Sequence, residues 1–200
     1  MVTQQLYTAF IFLLIGERLF ELSLSRRHAE RALTAGAVEV GQGHFRVMKA
    51  LHTAFFVGCL GEVWFGGAQF SFALALPMAI IVVLSQALRY WAIATLGVRW
   101  NVRVIVLPGR QAVASGPYRF LRHPNYLAVV LEGIAVPLIH GAYVTALVFS
   151  VLNAYLLKVR ILVEERALAE YCGYQTVFSR VGRLIPNFSG LGGRPPHPGD

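Results

Sequence analysis

Two hundred residues that are 56% apolar and only 14% charged, with a mean hydropathy of +0.57, exclude an ordinary soluble domain and indicate a chain built for a bilayer. A net charge of +8 would suggest nucleic acid in a soluble protein, but here the basic residues gather on one side of the apolar runs. The two cysteines, Cys59 and Cys172, have no metal-ligand spacing and are expected on opposite sides of the membrane, so no disulfide is expected.

Apolar runs near the roughly 20 residues needed to cross a bilayer divide the chain into about five spans, over 3–24, 47–65, 70–96, 124–140 and 142–163. The first lacks a basic leader and a small-residue cleavage site, so it is expected to stay in the protein. Glu17 and Glu21 share a helix face near its inner end, either as an interfacial pair or as one wall of a site. The run Arg26-Arg27-His28-Ala29-Glu30-Arg31 follows, then a glycine-rich loop over 34–46 ending in His44-Phe45-Arg46. His52 lies about one turn inside the second span. A lone histidine there is more often a satisfied helix–helix contact, yet ionisable groups at such depth are functional candidates.

The third span is interrupted by Pro77 and closes on Gln86, Arg89, Tyr90 and Trp91, as aromatic belts do at an interface. The run Val104-Ile105-Val106-Leu107 is too short to span and reads as an extended or re-entrant connector, with Pro108-Gly109 as a turn. Pro124 suits the first turn of the fourth span, and Pro137 loosens its outer end. Glu132 falls roughly 12 Å into that helix at 1.5 Å per residue, and needs a partner or a polar cavity. The fifth span carries Asn153 and closes on Lys158, Arg160, Glu164 and Glu165. A cytoplasmic amphipathic helix is expected over 166–178 and a disordered tail over 189–200. The fold class is therefore an all-α integral membrane protein, with about five transmembrane helices, a cytoplasmic C-terminal helix and one domain over 1–188.

All 18 Lys and Arg fall at the inner ends of these spans, in the loops at 25–49 and 97–123, or after the fifth span. The positive-inside rule then puts the N-terminus outside and the C-terminus in the cytoplasm of a multi-pass inner-membrane protein. Anionic membrane lipid is a natural partner for the basic excess; nucleic acid is not.

The most unusual stretch is Ser115-Gly116-Pro117-Tyr118-Arg119-Phe120-Leu121-Arg122-His123-Pro124-Asn125-Tyr126. It reads as a shaped loop that delivers His123 to the mouth of the fourth helix. Dinucleotide, phosphate-loop, zinc-protease and nucleophile-elbow motifs do not occur, and His44, His52 and His123 are too scattered for a metal site. A cationic, hydrogen-bonding pocket with carboxylates and aromatic faces remains. Arg119, Arg122 or His123 can hold an anion at the amino end of the fourth helix. Tyr118 and Tyr126 can face a heterocycle or a sulfonium, and Glu164 and Glu165 an ammonium or ribose hydroxyls.

The pattern Gly116-Pro117-Tyr118, Arg122-His123-Pro124-x-Tyr126, Glu164-Glu165-x-x-Leu168, Tyr171-x-Gly173-Tyr174 and Ile185-Pro186 resembles the isoprenylcysteine carboxyl methyltransferase family over about half the chain. In the N-terminal half, Glu17-Arg18-x-x-Glu21, Ser25-Arg26-Arg27, Gly43-His44-Phe45, His52, Leu88-Arg89-Tyr90-Trp91 and Trp100-Asn101 resemble the bacterial branch of that family. The resemblance implies an integral membrane enzyme that uses S-adenosylmethionine. It further implies O-methylation of a lipophilic acceptor at the cytoplasmic face: a long-chain alkylpyrone or alkylresorcinol, as in members associated with type III polyketide synthases, or a prenylcysteine-like carboxylate. It implies a cofactor pocket of Tyr118, His123, Pro124, Tyr126, Glu164 and Glu165, with Arg122 or Glu165 at the reacting end. Adjacent glutamates point about 100° apart on a helix, so one of the two is expected to touch cofactor. A phenolic acceptor would benefit from a general base, for which His44, His52, Glu17 and Glu132 all remain open. Competing readings are a sterol-reductase-type enzyme using NADPH, a phospholipid N-methyltransferase, and a non-catalytic lipid-binding protein.

Overall fold

The computed structural model describes residues 1–172, 178 and 181–185, apart from the side chain of His44. Five helices make up the body: α1 (Val2–Thr34), α2 (Gln42–Phe65), α3 (Phe72–Leu96), α4 (Pro124–Leu138) and α5 (Tyr143–Cys172). α3 lies along α4, α4 along α5, α5 along α2, and α2 along α1. With its following turn, α3 is long and apolar enough to cross a bilayer, as is α5, while α4 is a shorter apolar helix. The large side chains that face outward are apolar as well: Leu76, Ile80, Val83 and Leu84 on α3, and Leu147, Val151 and Leu152 on α5, are all half or more exposed. Such faces are a liability in water and ordinary against lipid.

Inside, Tyr7, Ile11, Phe55, Cys59, Val63, Val136 and Phe149 form the main apolar core. Gly133 permits the close approach of α4 and α5, since a Cβ there would sit 2.5 Å from Cε1 of Phe149. Cys59 and Cys172 are both buried free thiols in separate clusters.

Three boundaries differ from the sequence reading. α1 continues through the basic run to Thr34, because Arg26, Arg27 and Arg31 leave the helical periodicity unbroken and the buried Ser25, His28 and Ala29 give it an inner face. The glycine-rich stretch is not all loop: β1 (Val38–Val40) precedes α2, which already begins at Gln42. β1 pairs antiparallel with β2 (Val104–Val106) in the register Val38↔Val106, Glu39↔Ile105 and Val40↔Val104. The body is helical, but this ribbon qualifies the all-α expectation, and three residues on each side are too few to show an alternating pattern. Finally, the helix expected over 166–178 is the continuation of α5 through Cys172, since no breaker separates Val163 from Arg166. Tyr174, Gly173, Pro186 and the tail over 189–200 lie outside the described residues.

Candidate active site

The loop from α3 to α4 is fixed by its sequence at several points. Gly116 has φ +56 and abuts α3 so closely that a Cβ would lie 2.3 Å from Oγ1 of Thr95. Pro117 opens a single 3₁₀ turn over Gly116–Arg119 that buries Tyr118, and Pro124 opens α4 with His123 as the residue before it. The backbone of 121–123 is tied to the C-terminal segment: the amide of Arg122 donates to Gly182 O at 2.9 Å and that of His123 to Arg183 O at 3.1 Å. Arg122 also donates from Nε to Val181 O at 2.6 Å.

The two glutamates of α5 take different roles, as their angular separation requires. Glu165 faces the loop. It receives both Nε and Nη2 of Arg183, at 3.0 Å to Oε1 and 2.7 Å to Oε2, lies 3.2 Å from His123 Nε2, and has Arg122 Nη1 at 3.8 Å. Glu164 faces a cavity and accepts the hydroxyl of Tyr126. That hydroxyl in turn accepts from Nε of Arg160 at 2.7 Å. Arg160, one turn before Glu164 and buried, also donates to Val102 O. The ring of His123 stacks on Tyr126, with centroids 5.2 Å apart and planes at 16°.

Two cavities meet here. The first, of about 310 Å³, lies between the end of α1, the β1–β2 ribbon, the shaped loop and the end of α5. Tyr118, Arg122, His123, Asn125, Tyr126 and Glu164 are on its wall, together with Arg31, Arg99, Arg103 and Arg110. Burial, and secondarily the charge of Glu164, push the Tyr118 phenol up, so it stays protonated as a neutral donor or stacking face. The second cavity, of about 410 Å³, lies among the helices, with an apolar wall that includes Leu14, Phe55, Phe56, Val136 and Phe149. Asn125 and Tyr126 belong to both walls.

The second cavity also has a charged wall that no single stretch of sequence announces. Arg89, 4% exposed, donates to Glu132 from Nη2 at 2.5 Å and from Nε at 3.3 Å, and to Asn125 Oδ1 at 3.4 Å. Arg18 donates to Glu21 at 2.7 Å and to Glu17 at 3.1 Å, and Gln86 donates to Glu17 at 2.5 Å. Each of these side chains was notable alone; their pairing joins α1, α3 and α4. His52 lies on the wall of this second cavity, away from the loop. Pro124 is fully buried at the start of α4 and is not on the first cavity's wall, so its part is to start the helix. Glu165 likewise braces the loop from behind that wall. His44 lies in the first turn of α2, and its side chain lies outside the described structure.

The first cavity fits S-adenosylmethionine by its donor set. A carboxylate at Glu164 suits an ammonium, guanidinium groups suit a carboxylate, and buried aromatic faces suit a purine or a sulfonium. Residues 78–170, which contain the loop, the shared wall and the paired glutamates, match the description "Isoprenylcysteine carboxyl methyltransferase (ICMT) family". The chain belongs to the ICMT family. It is 38% identical to the uncharacterized protein YpbQ of Bacillus subtilis (strain 168) over 166 residues, covering 83% of this chain and 98% of that one. An uncharacterized protein of Haemophilus influenzae is 29% identical over 157 residues, covering 78% of this chain and 91% of its own. The fold is similar to that of the eukaryotic intramembrane Ras methyltransferase ICMT solved without a monobody, with a TM-score of 0.54 and 22% identity. That likeness covers 72% of this chain and 54% of the other, so this ICMT-family chain matches only about half of the eukaryotic structure.

Proposed function

We propose that this protein is an S-adenosylmethionine-dependent methyltransferase acting on an oxygen of a lipophilic acceptor held among its helices. The observation that carries the reading is the shared wall of Asn125 and Tyr126, where the loop-side cavity, with its arginines and Glu164, meets the cavity among the helices. A donor on the loop side and an acceptor on the helix side then face each other at one boundary. In-line methyl transfer asks chiefly for such proximity and orientation.

When bound, S-adenosylmethionine would supply an electrophilic methyl group on a sulfonium. Arg122 and the amino end of α4 would hold its carboxylate, Glu164 its ammonium, and Tyr118 and Tyr126 would offer aromatic faces. Glu165, His123 and Arg183 would keep the loop in place. Arg160 ties Tyr126 to the β2 approach, so the shared wall is braced from both sides. The second cavity would take an alkyl tail from the bilayer side, with the whole site at the cytoplasmic face of the inner membrane. A long-chain alkylpyrone or alkylresorcinol is the expected acceptor. A prenylcysteine-like carboxylate is the second reading, favoured by the likeness to the Ras methyltransferase.

The test is a binding titration of purified protein in detergent with S-adenosylmethionine, its demethylated product and NADPH. Saturable binding of both sulfur compounds is expected. Failure of both to bind overturns the proposal, and tight NADPH binding would replace it with the reductase reading.

A further inference from the structure

The first cavity holds more positive charge than its proposed cofactor can use. Arg31, Arg99, Arg103, Arg110 and Arg122 are on its wall, and among the described residues Glu164 is the one acid there. S-adenosylmethionine carries a carboxylate, an ammonium and a sulfonium at neutral pH, so it arrives as a net cation. Two of the arginines are engaged by acids behind the wall: Arg103 pairs with Glu39 at 2.9 Å, and Arg122 has Glu165 at 3.8 Å. The other three keep their charge. Arg99 donates to a neutral oxygen, the carbonyl of Gln111 at 3.1 Å, and the side chains of Arg31 and Arg110 have no partner among the described residues.

These three come from separate segments: the last turn of α1, the 3₁₀ turn after α3 and the loop after β2. Each is exposed as well as on the wall, which puts all three at the cavity's open edge. The level of that edge is set by α3. With its following turn, α3 forms an apolar span of 28 residues over Phe72–Arg99, about 40 Å at 1.5 Å per residue, which matches a bilayer with its headgroups. Arg99 therefore stands in the headgroup layer. Val98 beside it, 62% exposed and on the same wall, offers an apolar contact. Like charges gathered at the edge of a low-dielectric cavity repel one another and any cation that enters. An anion among them removes both repulsions.

We propose that Arg31, Arg99 and Arg110 bind the phosphate headgroup of an anionic phospholipid at the mouth of the first cavity, and that this lipid completes the cofactor site. The lipid site goes beyond the methyl-transfer reading; its effect on the cofactor rests on that reading. A basic face attracts anionic membrane through net charge alone. Here one headgroup bridges three segments at the edge of one cavity. Its charge favours the cationic cofactor over the demethylated product, which has lost the sulfonium and is neutral overall.

The experiment uses full-length protein in nanodiscs of phosphatidylcholine, alone or mixed with phosphatidylglycerol. In wild type, phosphatidylglycerol is expected to tighten S-adenosylmethionine binding by about 3- to 10-fold, with little change for the demethylated product and a gain that fades at high salt. Arg31→Gln with Arg110→Gln is expected to bind the cofactor more tightly than wild type in phosphatidylcholine alone, and to gain less from phosphatidylglycerol. Arg110→Gln serves as a second variant if the double one unfolds. A variant that loses cofactor affinity equally in both lipids overturns the proposal, because the arginines would then be structural. Equal gains in wild type and variant also overturn it, because surface potential would be the whole effect. If inorganic phosphate reproduces the gain in phosphatidylcholine, the lipid is overturned as the occupant. Native mass spectrometry of detergent-purified protein reads the site without cofactor: wild type should retain phosphatidylglycerol over phosphatidylcholine, and the variant less so. Equal retention overturns the site. Wild type that retains phosphatidylglycerol but binds S-adenosylmethionine in neither lipid overturns the methyl-transfer reading and leaves the lipid site standing.

Discussion

Arg89 and Glu132 show what a single pair of side chains does in this protein. The guanidinium is bidentate on the carboxylate, with Glu21 3.8 Å away, and it ties α3 to both α4 and α1. Taken from water, each charge is costly, and the pair is tolerable because each satisfies the other. Removing one partner should therefore cost far more than replacing both. Arg89→Met alone is expected to destabilise the protein by about 3–5 kcal/mol, while Arg89→Met with Glu132→Leu recovers most of that loss. Unfolding midpoints in detergent for the two single variants and the double variant check this; additive losses would show that the two residues do not act as a pair. The adjacent glutamates teach the companion lesson. Glu164 and Glu165 are alike in composition, and the helix turns one toward the cavity and the other toward Arg183 and His123.

Among the elements, the shaped loop and α5 decide the site together. α5 is one helix from Tyr143 to Cys172, so the part that packs against α2 and α4 is rigidly continuous with the part that presents Arg160 and Glu164. The loop is held to it through Glu165 and to α3 through Gly116. At Gly116 two constraints coincide: a left-handed φ that only glycine adopts freely, and the Thr95 hydroxyl where a Cβ would be. Gly116→Ala should cost about 1–3 kcal/mol and weaken S-adenosylmethionine binding. Adding Thr95→Ala should return the steric part and leave the backbone part. Unfolding midpoints and cofactor titrations of the single and double variants separate the two, and an unaffected Gly116→Ala would mean that the loop is not held as tightly as the geometry requires.

For the whole molecule, the outward apolar faces of α3 and α5 and the inward charged pairs invert the pattern of a water-soluble protein. With the basic residues on one side, we expect Phe65, 91% exposed at the end of α2, to face outward from the cell and Arg110, in the loop before α4, to face the cytoplasm. Phe65→Cys should react with a membrane-impermeant maleimide in intact cells, and Arg110→Cys only after the membrane is opened. The reverse pattern would invert the topology and move the cofactor cavity to the wrong side. The native Cys59 and Cys172 are buried and should contribute little background.

The apolar runs, the charge asymmetry and the proline-punctuated loop are local properties, so the sequence alone determined a helical membrane chain, where its most chemical stretch lies, and its ICMT-like pattern. Helix ends were less legible, because α1 continues through a polar surface run and the β1–β2 ribbon is too short to carry a period. Pairings across the fold were legible only where the family pattern joined the loop to Glu164 and Glu165. Arg89 meets Glu132 at a separation of 43 residues and Arg160 meets Tyr126 at 34, and nothing local specifies either partner. Only the packing of α1, α3, α4 and α5 decided that two cavities share Asn125 and Tyr126. The same packing set His52 on the wall of the second cavity, away from the shaped loop. Its contact with the Met48 carbonyl is local, one turn away; which cavity the ring lines is a consequence of the fold.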